Sequence, residues 1–165
     1  MPLGFKIFFL AIALRTLVLS CPLARTYDLT FFVTSSTNDM IACGSNAAVN
    51  AVITYYSISG PPILPAIWDT YTSNSVYHCT MTKYFFVPGR PTGALVDVFT
   101  DDYTTMKIND VQVSTISTNS ICSFQKDKDV FSYIKPGLNS LYIDANNAGG
   151  AGYFGYRLTI KTQLA

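Results

Sequence analysis

Apolar and polar residues alternate over short segments of this chain, and the alternation predicts β-strands. Within 77–87, apolar residues occupy positions 77, 79, 81, 85 and 87, and Met106 and Ile108 alternate with Lys107, which is the period of a half-buried strand. Beyond residue 26, no stretch of useful length has the spacing of an amphipathic helix. The candidate strands are 27–34, 48–57, 77–87, 94–100, 104–108, 111–117, 139–145 and 153–161.

Clusters of turn-forming residues separate these strands. They are SGPPILP (59–65), PGRPTG (88–93), KPG (135–137) and NNAGGAG (146–152). In MKINDVQV, Asn109 and Asp110 predict a two-residue hairpin turn, because both residue types tolerate the positive φ that such turns require. The segment 129–137 is compatible with one helical turn capped by Asp129. About eight strands at this spacing predict a two-sheet sandwich or a barrel in one domain, 26–165.

Residues 1–25 form a separate unit. Lys6 precedes the apolar run IFFLAIALRTLVLSC, and Ser20 is a small residue at a potential cleavage point, which is typical of a secretory signal peptide. Arg15 interrupts the run, and two alternatives stay open: a retained hydrophobic anchor, or lipid attachment at Cys21. Each option takes the domain across or onto a membrane. The expected location is therefore secreted or surface-attached, with a virion as the alternative.

Composition and charge narrow the function classes. Charged residues make up 13% of the chain and the net charge is +1, and the absence of a basic patch argues against a nucleic-acid partner. All ten acidic residues are aspartate, which favours turns and caps, whereas the helix-favouring glutamate is absent. The chain contains 18 threonines, 11 tyrosines and 11 phenylalanines, which suit a pleated, half-buried surface. Composition thus agrees with an all-β fold.

The four cysteines are widely spaced and form no CxxC motif, so a zinc knuckle is not predicted. If processing removes Cys21, then Cys43, Cys79 and Cys122 remain and can form one disulfide and one odd thiol. The sequence alone does not assign the pairing. Three reduced and buried cysteines are the alternative.

Three segments in a fixed order carry a family resemblance. They are KYFFVPGRP (83–91), ALVDVFTDDYTTMKINDVQV (94–113) and DVFSYIKPGLNSLYIDANNAGGAGYFGYRLTI (129–160). Together they resemble the galactose-binding-domain-like jelly rolls, which are β-sandwich modules found beside many glycoside hydrolases and on adhesins. Asp110 stands where the family pattern has a turn glycine. The resemblance covers about half the chain and implies a jelly-roll sandwich, a fold that supports sugar binding, protein binding or inert spacing.

Asp101 and Asp102 are the paired carboxylates most suggestive of catalysis. A glycosidase needs two carboxylates about 5–10 Å apart, whereas adjacent side chains on a strand point to opposite faces. Both are expected instead to accept backbone N–H groups and to close a corner between strands. His78 is the single histidine, and Cys79 beside it is expected to point away from it. We therefore predict that the protein is not an enzyme.

The candidate ligand-binding residues are aromatic and planar polar side chains, because sugars are held by aromatic faces and by groups that take paired hydroxyls. They are Trp68, Tyr71, Arg90, Asp101, Asp102, Tyr103, Asn146, Asn147 and Tyr153. Structural alternatives are a core position for Trp68, cross-strand packing for Tyr103, and shaping of the glycine-rich turn by Asn146 and Asn147. No cofactor is predicted. A structural calcium is compatible with the carboxylates, although no loop has a recognisable ligand spacing.

Two function hypotheses follow from these features. The first is a non-catalytic, lectin-like module, secreted or on a surface, that recognises carbohydrate or another surface ligand. The alternative is a self-assembling component of an extracellular filament, a surface layer or a virion capsid, because a low-charge sandwich with exposed edge strands can pack against its own copies. Membrane contact is expected only through the N-terminal segment, if it is retained.

Overall fold

The computed structural model describes residues 25–72 and 77–165, and this part of the chain is built from β-strands. The predicted N-terminal unit, including Cys21, lies outside the described residues except for Arg25. No described helix has the length and hydropathy of a membrane span. Twelve strands and one 3-10 helix are described: β1 (Tyr27–Thr34), β2 (Met40–Cys43), β3 (Val49–Asn50), β4 (Val52–Ile53), β5 (Ile67–Trp68), β6 (Tyr77–Val87), β7 (Arg90–Asp101), β8 (Tyr103–Ile108), β9 (Val111–Gln112), β10 (Gln125–Asp129), the 3-10 helix (Phe131–Tyr133), β11 (Gly137–Asn147) and β12 (Tyr153–Leu164).

The strands form two antiparallel sheets, which confirms the predicted all-β sandwich. Sheet I has the order β10-β7-β12-β5-β4, and β1 also pairs with β12. Sheet II has the order β3-β2-β6-β11-β8-β9. The chain passes from sheet I to sheet II at Asp102, which lies between β7 and β8.

The core lies between the two sheets and follows the strand register. Sheet II contributes Ile41, Met81, Ile143 and Met106, which are in register across its four longer strands and are all at most 3% exposed. Sheet I contributes Leu158 with its register partners Val33 and Val96, and the rings of Phe154 and Tyr156 on β12. Burial of an aliphatic side chain of this size stabilises a fold by about 1.5–3 kcal/mol. The hydrophobic alternation in the sequence therefore sets which face of each strand is buried.

A buried ionic network joins the sheets at one side of this core. Asp39, in the loop between β1 and β2, is 4% exposed. Lys83 Nζ of sheet II donates to Asp39 Oδ1 at 2.6 Å, and the Tyr156 hydroxyl of sheet I donates to Asp39 Oδ2 at 2.8 Å. Burial, followed by the charge of Asp39, raises the pKa of Tyr156, so that its hydroxyl remains a donor. One carboxylate thus satisfies donors from both layers.

A second apolar cluster lies on the outer face of sheet I. Residues 54–66 cross this face, and Ile58, Leu64 and Ala66 are buried against Phe99, Phe124 and Tyr153. Gly155 lies beneath this loop, and an added Cβ there would lie 2.6 Å from Ile58 Cδ1 and 2.7 Å from the Pro65 carbonyl oxygen. The loop can therefore sit this close to the sheet only because residue 155 has no side chain.

Most long strands were predicted correctly, and four parts of the prediction were wrong. The strands β2, β5 and β10 were missed, and the segment 48–57 forms only the two-residue strands β3 and β4. The strand expected at 111–117 ends at Gln112, and β7 already begins at Arg90 within the expected turn PGRPTG. The short strands are too brief for alternation to be visible, and β10 is a charged edge strand.

Two local predictions are confirmed. Asn109 and Asp110 have φ values of 52° and 64° and connect the paired residues Ile108 and Val111 as a two-residue hairpin turn. The predicted helical turn is the 3-10 helix at Phe131–Tyr133, but its N-cap is Val130 and not Asp129 as predicted. Asp129 instead accepts the Phe131 N–H through Oδ1 at 2.8 Å.

The cysteines form one disulfide and one free thiol in the described residues. Cys43 of β2 is bonded to Cys79 of β6, and both are buried in the core. Cys122 is free and exposed. The alternative of three reduced cysteines is therefore wrong, and the disulfide connects neighbouring strands of sheet II.

Candidate functional site

One end of the sandwich gathers most of the predicted site residues. We call it the corner end, and it comprises residues 101–103, 118–122 and 146–153. At this end the chain turns from β7 into β8 and from β11 into β12. Loops and strand ends on a rigid sheet commonly carry binding groups.

A polar depression lies on the outer face of sheet II at the corner end. It has a volume of about 360 Å³. Strand register builds it, because Asn146 of β11 lies between His78 of β6 and Tyr103 of β8. The residues that line it are His78, Tyr103, Thr105, Thr118, Asn119, Asp144 and Asn146. Two of the predicted ligand residues, Tyr103 and Asn146, are thus brought together.

A histidine–carboxylate pair forms part of this depression. His78 Nδ1 lies 2.9 Å from Asp144 Oδ1, and the two side chains are 57% and 28% exposed. The carboxylate orients the imidazole, and none of the described residues hydrogen-bonds to its Nε2. His78 was not among the predicted ligand residues, and its partner is 66 positions away in the sequence. Only the pairing of β6 with β11 brings the two residues together, and no local sequence signal indicates it.

The Asp101–Asp102 pair converges on Cys122. The Cys122 Sγ lies 2.8 Å from Asp101 Oδ1 and 3.2 Å from Asp102 Oδ1. The expectation that these carboxylates face opposite ways is therefore wrong, because Asp102 lies in the corner and not within a continuous strand. Burial, followed by the hydrogen bonds to Asp101 and Asp102, raises the pKa of the Cys122 thiol to about 12. The thiol is thus protonated at neutral pH and is a poor nucleophile.

Contacts of Asp102 show a structural role for this residue. Its Oδ2 accepts the Ala148 N–H at 2.7 Å, and its own N–H donates to the Asn146 carbonyl at 2.8 Å. Its carbonyl oxygen accepts the Cys122 N–H at 3.0 Å. Asp102 therefore fixes the glycine-rich loop and the Cys122 loop beside the polar depression. Burial is the largest cause that raises the pKa of Asp101, and the repulsion from Asp102 adds to it.

The corner group offers few ligands for calcium. Asp101, Asp102 and Cys122 place one potential ligand atom each within 4.8 Å of one another. Calcium takes six to eight oxygen ligands, and the two carboxylates supply four at most. In the other such group among the described residues, the sulfurs of Cys43 and Cys79 are used in the disulfide. The corner group alone therefore gives no reason to assign a cation.

An aromatic row lies on the opposite face of the sandwich, at the same end. The ring of Tyr153 stacks on Tyr56 and Phe99, with centroids 5.2 Å and 5.4 Å away. Tyr55 continues the row to Tyr71, with centroids 6.1 Å apart. Tyr153, a predicted ligand residue, is half-buried and packs between these two rings. Tyr71 is exposed but lies on the other side of the sandwich from the polar depression.

Two further predicted ligand residues are buried and do not line the polar depression. Trp68 is fully buried and stacks on Tyr77 in the core, so its predicted ligand role is wrong. Asn147 is also buried and its side chain shapes the turn, since it accepts the Gly149 N–H and donates to the Gly150 carbonyl.

Arg90 cannot join the site because it lies at the other end of the sandwich. It begins the 12-residue strand that ends at Asp101. At about 3.3 Å per residue, the two ends of that strand are roughly 36 Å apart. The Arg90 guanidinium instead donates to Gln163 Oε1 at 3.0 Å.

Comparison with known proteins adds no assignment. No family model matches the chain, and no curated protein or solved structure is significantly similar to it. The likeness to galactose-binding-domain-like modules therefore stays a prediction from the sequence motifs, and the site has to be interpreted from its own chemistry.

Proposed function

We propose that the polar depression binds a carbohydrate, and that the protein is a non-catalytic, lectin-like recognition module. The observation that carries the proposal is the set of groups that line the depression. The register of sheet II holds the carboxylate of Asp144, the amide of Asn146, the imidazole of His78 and the ring of Tyr103 side by side, and the loop between β9 and β10 adds the amide of Asn119. Carboxylates and amides can take the paired hydroxyls of a sugar, and a tyrosine ring can pack against its C–H face. The backbone under the four strand residues is already ordered in the sheet, so binding does not have to order it.

The same geometry supports a non-catalytic role. The depression contains one carboxylate, Asp144, and glycoside hydrolysis usually needs two. In the described residues, no serine or threonine hydroxyl hydrogen-bonds to His78, as nucleophilic catalysis would require. The nearby thiol of Cys122 is engaged by the corner carboxylates.

An extracellular location suits this function. The buried disulfide between Cys43 and Cys79 is compatible with an oxidising compartment, in which such bonds persist. We propose that the domain is secreted or surface-attached and meets its glycan on another cell or in the surrounding matrix.

A glycan array probed with the protein tests the proposal. We expect retention of a limited set of glycans, and we expect Asp144→Asn and Asn146→Ala each to weaken it by about tenfold or more, because each leaves ligand hydroxyls without a partner. Asp28→Asn is the matched control, since this exposed aspartate lies on β1 in the other sheet. A blank array, or retention that all three variants share with the unmodified protein, would refute the proposal.

The second candidate function is self-assembly through strand edges. It is favoured by the short strands β3 and β4, which bear the exposed side chains of Val49, Val52 and Ile53. An edge strand that exposes apolar side chains is a template for pairing with another chain. Electron microscopy of the native material distinguishes the two candidate functions. Ordered polymers, together with no retention on the glycan array, would favour self-assembly.

A further inference from the structure

The outer face of sheet II carries an apolar patch at the end opposite to the polar depression. The apolar patch consists of Tyr84, Phe86 and Leu138, which are 68%, 65% and 61% exposed. Phe86 and Leu138 are direct register partners on β6 and β11, and Tyr84 lies two positions along β6 on the same face. His78 lies on that face as well, roughly 26 Å from Phe86 at about 3.3 Å per residue.

The position of the patch is unusual for a solvated sheet face. Both β6 and β11 are central strands of sheet II, where outward side chains are normally polar. Aromatic residues bury roughly 150–250 Å² each when covered, so the exposed parts of these side chains amount to roughly 300–400 Å². A contiguous apolar surface of this size marks an interaction site on many soluble proteins. The patch is therefore expected to be covered in the functional protein.

Two opposite charges lie together beside the patch. Asp110 and Lys135 line one shallow depression of about 190 Å³ together with Tyr84 and Leu138. Both charged residues are exposed, and neither takes part in the ion pairs found among residues 25–72 and 77–165. The surface around the apolar centre thus presents one negative and one positive group that can accept an external partner.

We propose that the apolar patch is the centre of a two-fold interface between two copies of this chain. A two-fold interface uses the same surface twice, so that surface must be its own complement. The apolar side chains of the two copies pack against each other. If the two-fold axis passes through the depression between Asp110 and Lys135, Asp110 of one protomer faces Lys135 of its partner, and the reciprocal pair forms on the other side of the axis. A lipid surface is a poorer match, because anionic membranes favour a rim of basic residues and Asp110 would be repelled.

The size of the patch is consistent with a modest dimer. A stable interface buries about 800 Å² per partner, and the apolar patch accounts for about half of that. Neighbouring outward residues of sheet II can supply the rest, among them Met40 on β2, which is 48% exposed. The polar depression lies beyond this area, so a pair that overlaps only at the apolar ends leaves each ligand site open. The inference goes beyond glycan binding and does not depend on it.

Analytical ultracentrifugation of the full chain tests the interface. The intact mass of the sample is measured to establish at which residue the chain begins. We expect the protein to sediment as a monomer–dimer equilibrium and Leu138→Asp to raise the dimer dissociation constant by about tenfold or more. Asp110→Lys and Lys135→Asp should each weaken the dimer, and the double variant Asp110→Lys/Lys135→Asp should restore it. Phe32→Ser is the matched control, because Phe32 is a comparably exposed ring on β1 in the other sheet.

Several results would overturn the inference. They are a monomer at every protein concentration, polymers that do not stop at two copies, or a dimer that Leu138→Asp leaves unchanged. A double charge variant no tighter than either single variant would refute the pairing of Asp110 with Lys135. Circular dichroism of each variant excludes unfolding as the cause, since all the altered side chains are exposed.

Discussion

Asp39 connects the two sheets through its side chain. Its carboxylate is buried and accepts from Lys83 in one sheet and from Tyr156 in the other. A buried charge that loses its partner is costly, because the carboxylate then lacks both water and a counter-ion. Neither the loop position of Asp39 nor the strand position of Lys83 indicates this pairing in the sequence.

We expect Lys83→Met to lower the free energy of unfolding by about 3 kcal/mol or more, since it leaves the Asp39 carboxylate buried without its cation. Lys107→Met is the matched control. Lys107 lies over the Tyr142 ring on the outer face of the same sheet, and its loss should cost about 1 kcal/mol or less. Urea denaturation of both variants measures the difference. Equal losses for the two variants would contradict the account of the network.

Cys122 is expected to be slow to react although it is exposed. Its pKa is raised to about 12 by burial and by its hydrogen bonds to Asp101 and Asp102, so little thiolate is present at pH 8. Alkylation by iodoacetamide should therefore be much slower than for a free cysteine peptide, and Asp101→Asn should accelerate it. The rate is followed by mass spectrometry. If Cys122 in the protein is alkylated as fast as the cysteine of the peptide, the carboxylates do not raise the pKa of the thiol.

Backbone geometry was predictable from the sequence where neighbouring residues alone determine it. The positive φ values of Asn109 and Asp110 follow from the turn itself. The convergence of Asp101 and Asp102 was not predictable, because alternation applies only inside a continuous strand. The pairing of His78 with Asp144 depends on which strands are neighbours, and that information is not local.

At the scale of elements, alternation identified the long strands and failed for the short ones. The buried face of β6 was visible because cysteine, methionine, phenylalanine and valine recur at alternate positions of YHCTMTKYFFV. The sequence of β10 is QKDKD, which has no apolar alternation, and its pairing with β7 at the sheet edge makes it a strand. Edge strands of this kind are commonly charged, which protects them from unwanted pairing.

The loop that covers sheet I depends on one glycine. We expect Gly155→Ala to lower the free energy of unfolding by about 1–3 kcal/mol, because the new methyl group would collide with Ile58 and with the Pro65 carbonyl. Gly149→Ala is the matched control, since no atom lies within 4 Å of its added Cβ. Thermal unfolding of the two variants provides the comparison. A stable Gly155→Ala protein would mean that residues 54–66 do not pack on the sheet.

At the scale of the whole molecule, sheet II has one outer face with two different ends. The corner end holds the polar depression with His78 and Asp144, and the other end holds the apolar patch with Phe86 and Leu138. The sequence predicted the sandwich but not this division. The polar depression and the apolar patch lie on the same face of the same two strands, β6 and β11, and alternation alone does not distinguish them. Ligand recognition at one end and pairing of copies at the other would present two glycan sites on one dimer, which raises avidity.

Amide chemical-shift mapping shows whether a glycan binds in the polar depression. The protein is titrated with the glycan that it retains best on the array. We predict saturable shifts centred on His78, Tyr103, Asp144 and Asn146, and loss of saturation in Asp144→Asn. Shifts centred on Tyr55 and Tyr71 across the sandwich, with the depression unchanged, would contradict it.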